Sequence, residues 1–546
     1  MAIVAFDLKD LQKANRSKEK LEDVLTRIGV EVEELSKEEI KVNITPNRPD
    51  LLDFVGLSRA IEHFTGAKPK DSFYKIENKP ALTINATGQI KSVRPFIAGM
   101  IVKNANLSGN RLKYLINFTE KFAETYGRKR KKIAIGVHNL SAIEGNLTYE
   151  AAKEGKITPL GSKKSMAFDR VMKEHAKGVT YQDTVPNYGS KSVLYPVLKD
   201  EKKTIALIPI TNCEETKVTE KTKDLFIDIT STSQISIRNS AAVIACSFLY
   251  AGAEVHPVGI TYDRQGEEIP KLEYQEVKVA MNRAERTIGI ITGRHNVIDL
   301  ANRMGYTAAK YGPNVLFYVP PYRIDVLDEQ DIVEDIAIAY GYDRIIPLAI
   351  SGVSVGMSNE ATDYENKLAS AMVGLGYTEA INSILTNEEM NFKNMRTTSK
   401  QKDYAMIAES KTNAITMLRT VILPGILQDL SASANATMPQ RIFEIGRTFT
   451  VKNGKIKESK RLAIASEHAK ADFSEIKSVV EAILRYMEGS YKIENDNDAT
   501  FIQGRCARVT LDGKVSAVFG EVHPEVLRNF GIEEPVVAAE IILKEE

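Results

Sequence analysis

Four acidic side chains between residues 325 and 335 are spaced to share one position. Asp331, Glu334 and Asp335 stand at i, i+3 and i+4, so a helix through them turns all three carboxylates to one face. Asp325 precedes that helix in an extended stretch and can point at the same spot. Converging carboxylate oxygens suit a hard cation such as Mg²⁺. Acidic residues in a helix's first turns are also favoured by its macrodipole, and most such clusters are simply solvated, so spacing alone favours a solvated acidic face. A second candidate is the strip 208–217, which leaves polar groups at the end of a strand. There Asn212 can donate and accept, Glu214 can accept from a hydroxyl, and Thr216 can orient water. An ordinary polar turn has the same composition. The basic run Arg128-Lys129-Arg130-Lys131-Lys132 can hold phosphates or simply face solvent. His138 and His175 are isolated, and each is expected to be a hydrogen-bonded structural residue. Neither GxxxxGK[ST] nor GxSxG occurs, and the histidines show no HExxH spacing, so no complete independent active site is visible.

The elements around these residues follow from periodicity. A helix over 18–27, strands over 30–35 and 39–44, and a turn at Thr45-Pro46-Asn47-Arg48-Pro49-Asp50 open the chain, with Asp50 expected to cap a helix over 51–65. A helix over 110–126 follows, then strands over 96–102, 133–137, 191–198 and 204–211 and an alternating strand over 225–230. A buried helix is expected over 231–252. Short helices, a strand over 315–319 and a capped helix over 328–340 form the third segment. A helix over 364–375, strands over 441–450, 461–466, 505–511 and 515–522, and a helix over 473–487 form the last. At 546 residues the chain is too long for one core. Its composition, 43% hydrophobic and 27% charged, is that of a folded globular protein. A net charge of +1 provides no global attraction to nucleic acid, and three dispersed cysteines indicate neither a zinc site nor a disulfide framework. No signal peptide or membrane span is read from the sequence, so a cytoplasmic protein is expected.

The blocks Asn43 to Leu52, Gly136-Val137-His138-Asn139-Leu140, Asn212 to Thr219, Phe226-Ile227-Asp228-Ile229-Thr230, Val319 to Asp325, Asp331 to Asp335, Phe443-Glu444-Ile445-Gly446-Arg447 and Gly520 to Leu527 occur in one order along nearly the whole chain. In that order they resemble phenylalanyl-tRNA synthetase β subunits of the archaeal and eukaryotic cytosolic type.

The resemblance implies an α+β multidomain chain with four parts. These are an N-terminal α/β domain (1–81), an α+β editing domain (82–270), a small winged-helix-like metal-binding domain (271–350) and a degenerate, inactive class II synthetase-like antiparallel sheet with helices (351–546). It implies an (αβ)₂ heterotetramer in which the α subunit uses ATP to attach phenylalanine to tRNA(Phe). It implies Mg²⁺ on Asp325, Asp331, Glu334 and Asp335, and an editing pocket for Tyr-tRNA(Phe) with Glu214 accepting from the tyrosine hydroxyl and Asn212 and Thr216 placing ester and water. Cys213, where the family usually has glycine or serine, is expected to narrow that pocket. Glu215 and Ser231 depart from it too, and a non-editing scaffold is the alternative. Arg441 and Glu444 are similar to the arginine and acid that hold ATP in active synthetases, but no second glycine-rich ATP motif follows, so no synthetic chemistry is expected in this chain.

Overall fold

The computed structural model describes residues 2–545 apart from 68–73, 77–81, 191, 263–264, 291–292, 348, 350–351, 353, 411, 488–489 and 512–513. It forms two compact units, Met1–Ala349 and Ile350–Glu546. The junctions expected at 81 and 350 and the first residue of the strand expected from 191 lie outside the described residues.

In the first unit, helix Leu21–Ile28 buries Leu21, Val24, Leu25 and Ile28, the one-face stripe read from the sequence. Gly29 ends it with φ +88°, where an L side chain is strained. A three-stranded antiparallel sheet places Glu39–Ile44 between Ala2–Asp7, which periodicity did not reveal, and Glu31–Leu35. Asp50 does not cap the next helix. Residues Pro49–Leu52 form a 3-10 turn, and the α-helix begins only at Phe54 and runs to Phe64. Asp50 is buried and its carboxylate is taken by Arg48, so its oxygens are unavailable to the helix terminus.

A ten-stranded sheet dominates the unit. Strand Leu225–Ser231 lies antiparallel between Phe96–Lys103 and Ile133–Asn139. All seven of its residues are buried, so its alternation does not mark a wet face. Helix Gln234–Tyr250 packs on this strand and on Phe96–Lys103, and Ser233 caps it. Further on, Gln275–Ala280, Asn314–Val319 and Thr307–Tyr311 make a three-stranded sheet. It is followed by helix Glu329–Tyr340, which Asp328 and Asp331 start as a capping box.

The second unit is a seven-stranded sheet, antiparallel except at one edge. Its longest hairpin pairs Gln440–Lys452 with Lys455–Glu467 through Asn453-Gly454, both at positive φ, the two-residue turn that matches strand twist. Helices Glu360–Gly374 and Phe473–Tyr486 cover one face through Leu368, Met372, Ile476 and Val480. Helices Leu423–Ala432 and Pro524–Phe530 cover the other over small Ala463, Ala465 and Ala538.

His63, near the end of helix Phe54–Phe64, is held neutral. Burial, then the charges of Arg59 and Arg16, push its pKa from 6.5 down to about 3. The unfolded chain takes this proton near 6.5 and the folded chain only near 3, so the stabilisation is complete above pH 6.5 and is lost as pH falls toward 3. The free energy of urea unfolding is expected to drop between about pH 7 and about pH 5 by up to ~1.4 kcal/mol per pH unit, and His63→Phe is expected to flatten that slope. Equal slopes would assign the titration to another group.

Candidate functional site

The register of the central strands builds a buried polar chain. Asp228 pairs with Gly136 and Phe226 with His138, so Asp228 and His138 lie diagonally on one face. Gly136 makes room for them, because a Cβ there would sit 1.9 Å from Asp228 Oδ2 and 3.0 Å from His138 Nε2. His138 Nε2 lies 3.0 Å from Asp228 Oδ2, and Nδ1 lies 2.8 Å from Thr216 Oγ1. A carboxylate at Asp228 takes the Nε2 proton, which leaves Nδ1 to accept from the Thr216 hydroxyl. Cys213 Sγ stands 3.2 Å from the same hydroxyl, and burial pushes the Cys213 thiol up, so it keeps a proton to donate. All four side chains are buried.

Thr216 and Asp228 open onto a cavity of about 180 Å³ between helix Arg111–Glu124 and residues 207–218. Asn212 lines it too, and its Nδ2 donates to the Val137 carbonyl at 3.3 Å. Of the three residues singled out in this strip, Asn212 and Thr216 are brought together and Glu214 is not. Glu214 accepts from the Gly161 amide at 2.6 Å and from Lys217 Nζ at 3.3 Å, and those contacts hold its carboxyl below the ordinary range. Cys213 does not narrow the cavity either, since its side chain turns into the core. His138, read as an isolated structural residue, is the group that sequence reasoning missed. Its partners lie 78 and 90 residues away, Asp228 brought in by strand register and Thr216 by the 3-10 turn Glu214–Thr216. Three residues of the basic run have side-chain partners of their own. Arg130 donates to the Pro209 carbonyl and stacks on Tyr181, Lys131 pairs with Asp183, and Lys132 sits over Tyr126.

The four carboxylates all line a second cavity of about 230 Å³. Arg323 binds Asp325 at 2.8 Å and Asp335 at 2.5 Å, and Tyr306 also donates to Asp335. Asp331 Oδ2 accepts from the amides of Leu327 and Asp328, and Glu334 is exposed at the rim. Among the described residues no three acidic side chains form a metal cluster by themselves. Hard oxygen donors on one cavity are of the kind that Mg²⁺ takes, and Arg323 orients the two inner carboxylates. The ladder extends inward. Arg48 binds Asp50 at 2.9 Å and approaches Asp325 at 3.9 Å, while Arg59 lies 3.7 Å from Asp50 and stacks 3.4 Å over the Tyr322 ring.

In the second unit the residues similar to an ATP-holding pair are engaged internally. Arg441 pairs with Glu475 at 3.2 Å, and Glu444 is taken by Arg419 at 2.7 Å and Asn382 at 3.1 Å.

Three family profiles match the chain: the B3/4 domain over 101–247, the tRNA synthetase B5 domain over 277–342 and the phenylalanyl tRNA synthetase beta chain CLM domain over 346–543. The phenylalanine–tRNA ligase β subunit of Archaeoglobus fulgidus is 33% identical over 523 residues, covering 95% of this chain and 94% of the relative. The chain belongs to the phenylalanine–tRNA ligase β-subunit family. The β subunit of Methanococcoides burtonii is 30% identical across 100% of both chains. Among solved structures, an N-terminal fragment of the phenylalanyl-tRNA synthetase β subunit from Pyrococcus horikoshii superposes with a TM-score of 0.59 at 26% identity. It covers 62% of this chain and 99% of that one. In this member of the phenylalanine–tRNA ligase β-subunit family, the B3/4 match contains the Thr216–His138–Asp228 chain and the B5 match contains the four carboxylates.

Replacing Arg323 with methionine would leave two buried carboxylates facing each other. Removing one partner of a buried ion pair typically costs about 3–5 kcal/mol, so the free energy of urea unfolding of Arg323→Met is expected to fall by that amount.

Proposed function

We propose that this chain is the β subunit of a phenylalanine–tRNA ligase and that its 180 Å³ cavity hydrolyses mischarged Tyr-tRNA(Phe). The observation that carries the hydrolytic reading is the Thr216–His138–Asp228 chain at the cavity wall. The Thr216 proton is committed to His138 Nδ1, so a Thr216 lone pair faces the cavity and accepts from a water there. As that water attacks the ester carbonyl, its proton passes to Thr216 while Thr216 gives its own to His138, and Asp228 stabilises the imidazolium. Collapse breaks the bond to the ribose oxygen, which takes the proton back along the same chain. Water and ester thus become tyrosine and free tRNA. Asn212 offers a donor and an acceptor at the cavity edge for the bound aminoacyl group. Such a second site answers a physical need, because an apolar pocket rejects an added hydroxyl by only ~100-fold.

The same reading gives the chain an α-subunit partner in an (αβ)₂ heterotetramer. Phenylalanine and ATP are handled on α, and tRNA(Phe) contacts both subunits. The internal pairing of Arg441 and Glu444 supports a second unit without its own ATP chemistry. Mg²⁺ would be held by Asp325, Asp331, Glu334 and Asp335, where it would supply a bridging positive charge. Among the described residues no helix is long and apolar enough to cross a membrane, in keeping with a cytoplasmic complex. We also divide the chain at 81, 270 and 350.

Co-expression with its α subunit is expected to yield Phe-tRNA(Phe) only from the pair, and synthesis by this chain alone would refute the division of labour. In a deacylation assay with Tyr-tRNA(Phe), Thr216→Val and His138→Asn are each expected to lower kcat by about 100-fold with little change in KM. Their effects should be non-additive, as for residues acting as one unit. Thr216→Ser should retain most activity, and Glu214→Gln should matter least. No hydrolysis by the wild type, with α binding intact, would leave the scaffold reading.

A further inference from the structure

The chain leaves helix Arg111–Glu124 through three consecutive basic residues in the left-handed region. Arg128, Lys129 and Arg130 have φ of +51°, +52° and +65°. Such backbone is disfavoured for any residue with a Cβ, and non-glycine residues visit it singly rather than in runs. The turn closes the end of the helix, since the amides of Arg128, Lys129 and Arg130 return to the carbonyls of Thr125, Glu124 and Ala123 at 3.0, 2.8 and 2.8 Å. Glycine or asparagine would make the same cap with less strain, so capping does not account for three basic side chains here. Strained backbone of this kind clusters at sites that hold ligands.

The three cations are used differently. Arg130 turns back to the wall of the 180 Å³ cavity, where it donates to the Pro209 carbonyl at 2.9 Å. Arg128 and Lys129 are exposed and make no ion pair or side-chain hydrogen bond among the described residues. Adjacent Cα atoms are about 3.8 Å apart, so both stand within about 8 Å of Arg130, at the cavity's edge. Other cations of that edge are countered, Lys177 by Glu120 and Lys217 by Glu214. Nearby Lys132 adds to the positive charge, and burial, then Arg128, hold its ammonium below the ordinary range. On a chain whose net charge is only +1, this is a local excess of unpaired cations, which suits phosphate oxygens. We propose that Arg128 and Lys129 hold backbone phosphates at the acceptor end of an RNA whose terminal aminoacyl group enters the cavity. The choice of RNA rests on the hydrolytic reading of that cavity.

Filter binding of a tRNA(Phe) acceptor-stem minihelix to the full-length chain, over a salt series, tests the surface without requiring hydrolysis. Binding that depends on the two cations, by a chain that hydrolyses no ester, would support the surface and sink the hydrolytic reading alone. Asparagine tolerates positive φ, so the double variant Arg128→Asn, Lys129→Asn removes both charges and keeps the turn, with a melting temperature expected at or above that of the wild type. It is expected to bind at least about fivefold more weakly in about 0.1 M salt. Its plot of log K against log salt should be flatter by about 1.5, as for two lost phosphate contacts. Lys37→Asn, which removes an exposed charge after strand Glu31–Leu35, should bind as the wild type does. The proposal is overturned if the wild type does not bind the minihelix, if the double variant binds as the wild type does, or if Lys37→Asn loses as much.

Discussion

A ladder of buried opposite charges holds the first unit together. Arg59, Asp50, Arg48, Asp325, Arg323 and Asp335 alternate in sign from the turn before helix Phe54–Phe64 to the face of helix Glu329–Tyr340. Taking six charges out of water is costly, and the cost is offset only when every member has close partners. The segments so joined are more than 250 residues apart in sequence. The forked pairs, Arg48–Asp50 and Arg323–Asp325, fix the geometry on each side, and Arg48 meets Asp325 across the two segments at 3.9 Å. The prolines flanking Arg48 and the stacking of Arg59 on Tyr322 serve this one arrangement.

The same economy shapes the cavity of the 101–247 region. Asp228 and His138 occupy neighbouring strands, and a missing side chain at Gly136 lets them meet. Thr216 arrives from a 3-10 turn after an edge strand. The Thr216 hydroxyl thus stands on a turn while its partner His138 is fixed in the sheet.

Much of this was legible from residues. The stripe of helix Leu21–Ile28 and the cap of helix Glu329–Tyr340 are local features, each specified within a few residues. The carboxylate set was found because i, i+3 and i+4 spacing is local as well. What stayed hidden depends on distant pairing. His138 acquires its partners from a turn and a strand 78 and 90 residues onward, and Asp50 is diverted from capping by Arg48 and Arg59 in tertiary structure. Glu214 has the right chemistry for a pocket, but the loop at Gly161 claims its carboxylate first. Type and spacing nominate a residue, and long-range geometry decides where it points.

The pairing of Glu444 with Arg419 and Asn382 has an evolutionary side. Once an acid has been drawn into the interior by two neighbours, single substitutions do not release it cleanly. Removing Arg419 strands Glu444 as an unpaired buried charge, and removing Glu444 strands Arg419. Recovery would require coordinated changes at several positions, each harmful when made first. The pairing is thus a ratchet, kept in place by the same contacts that stabilise the fold.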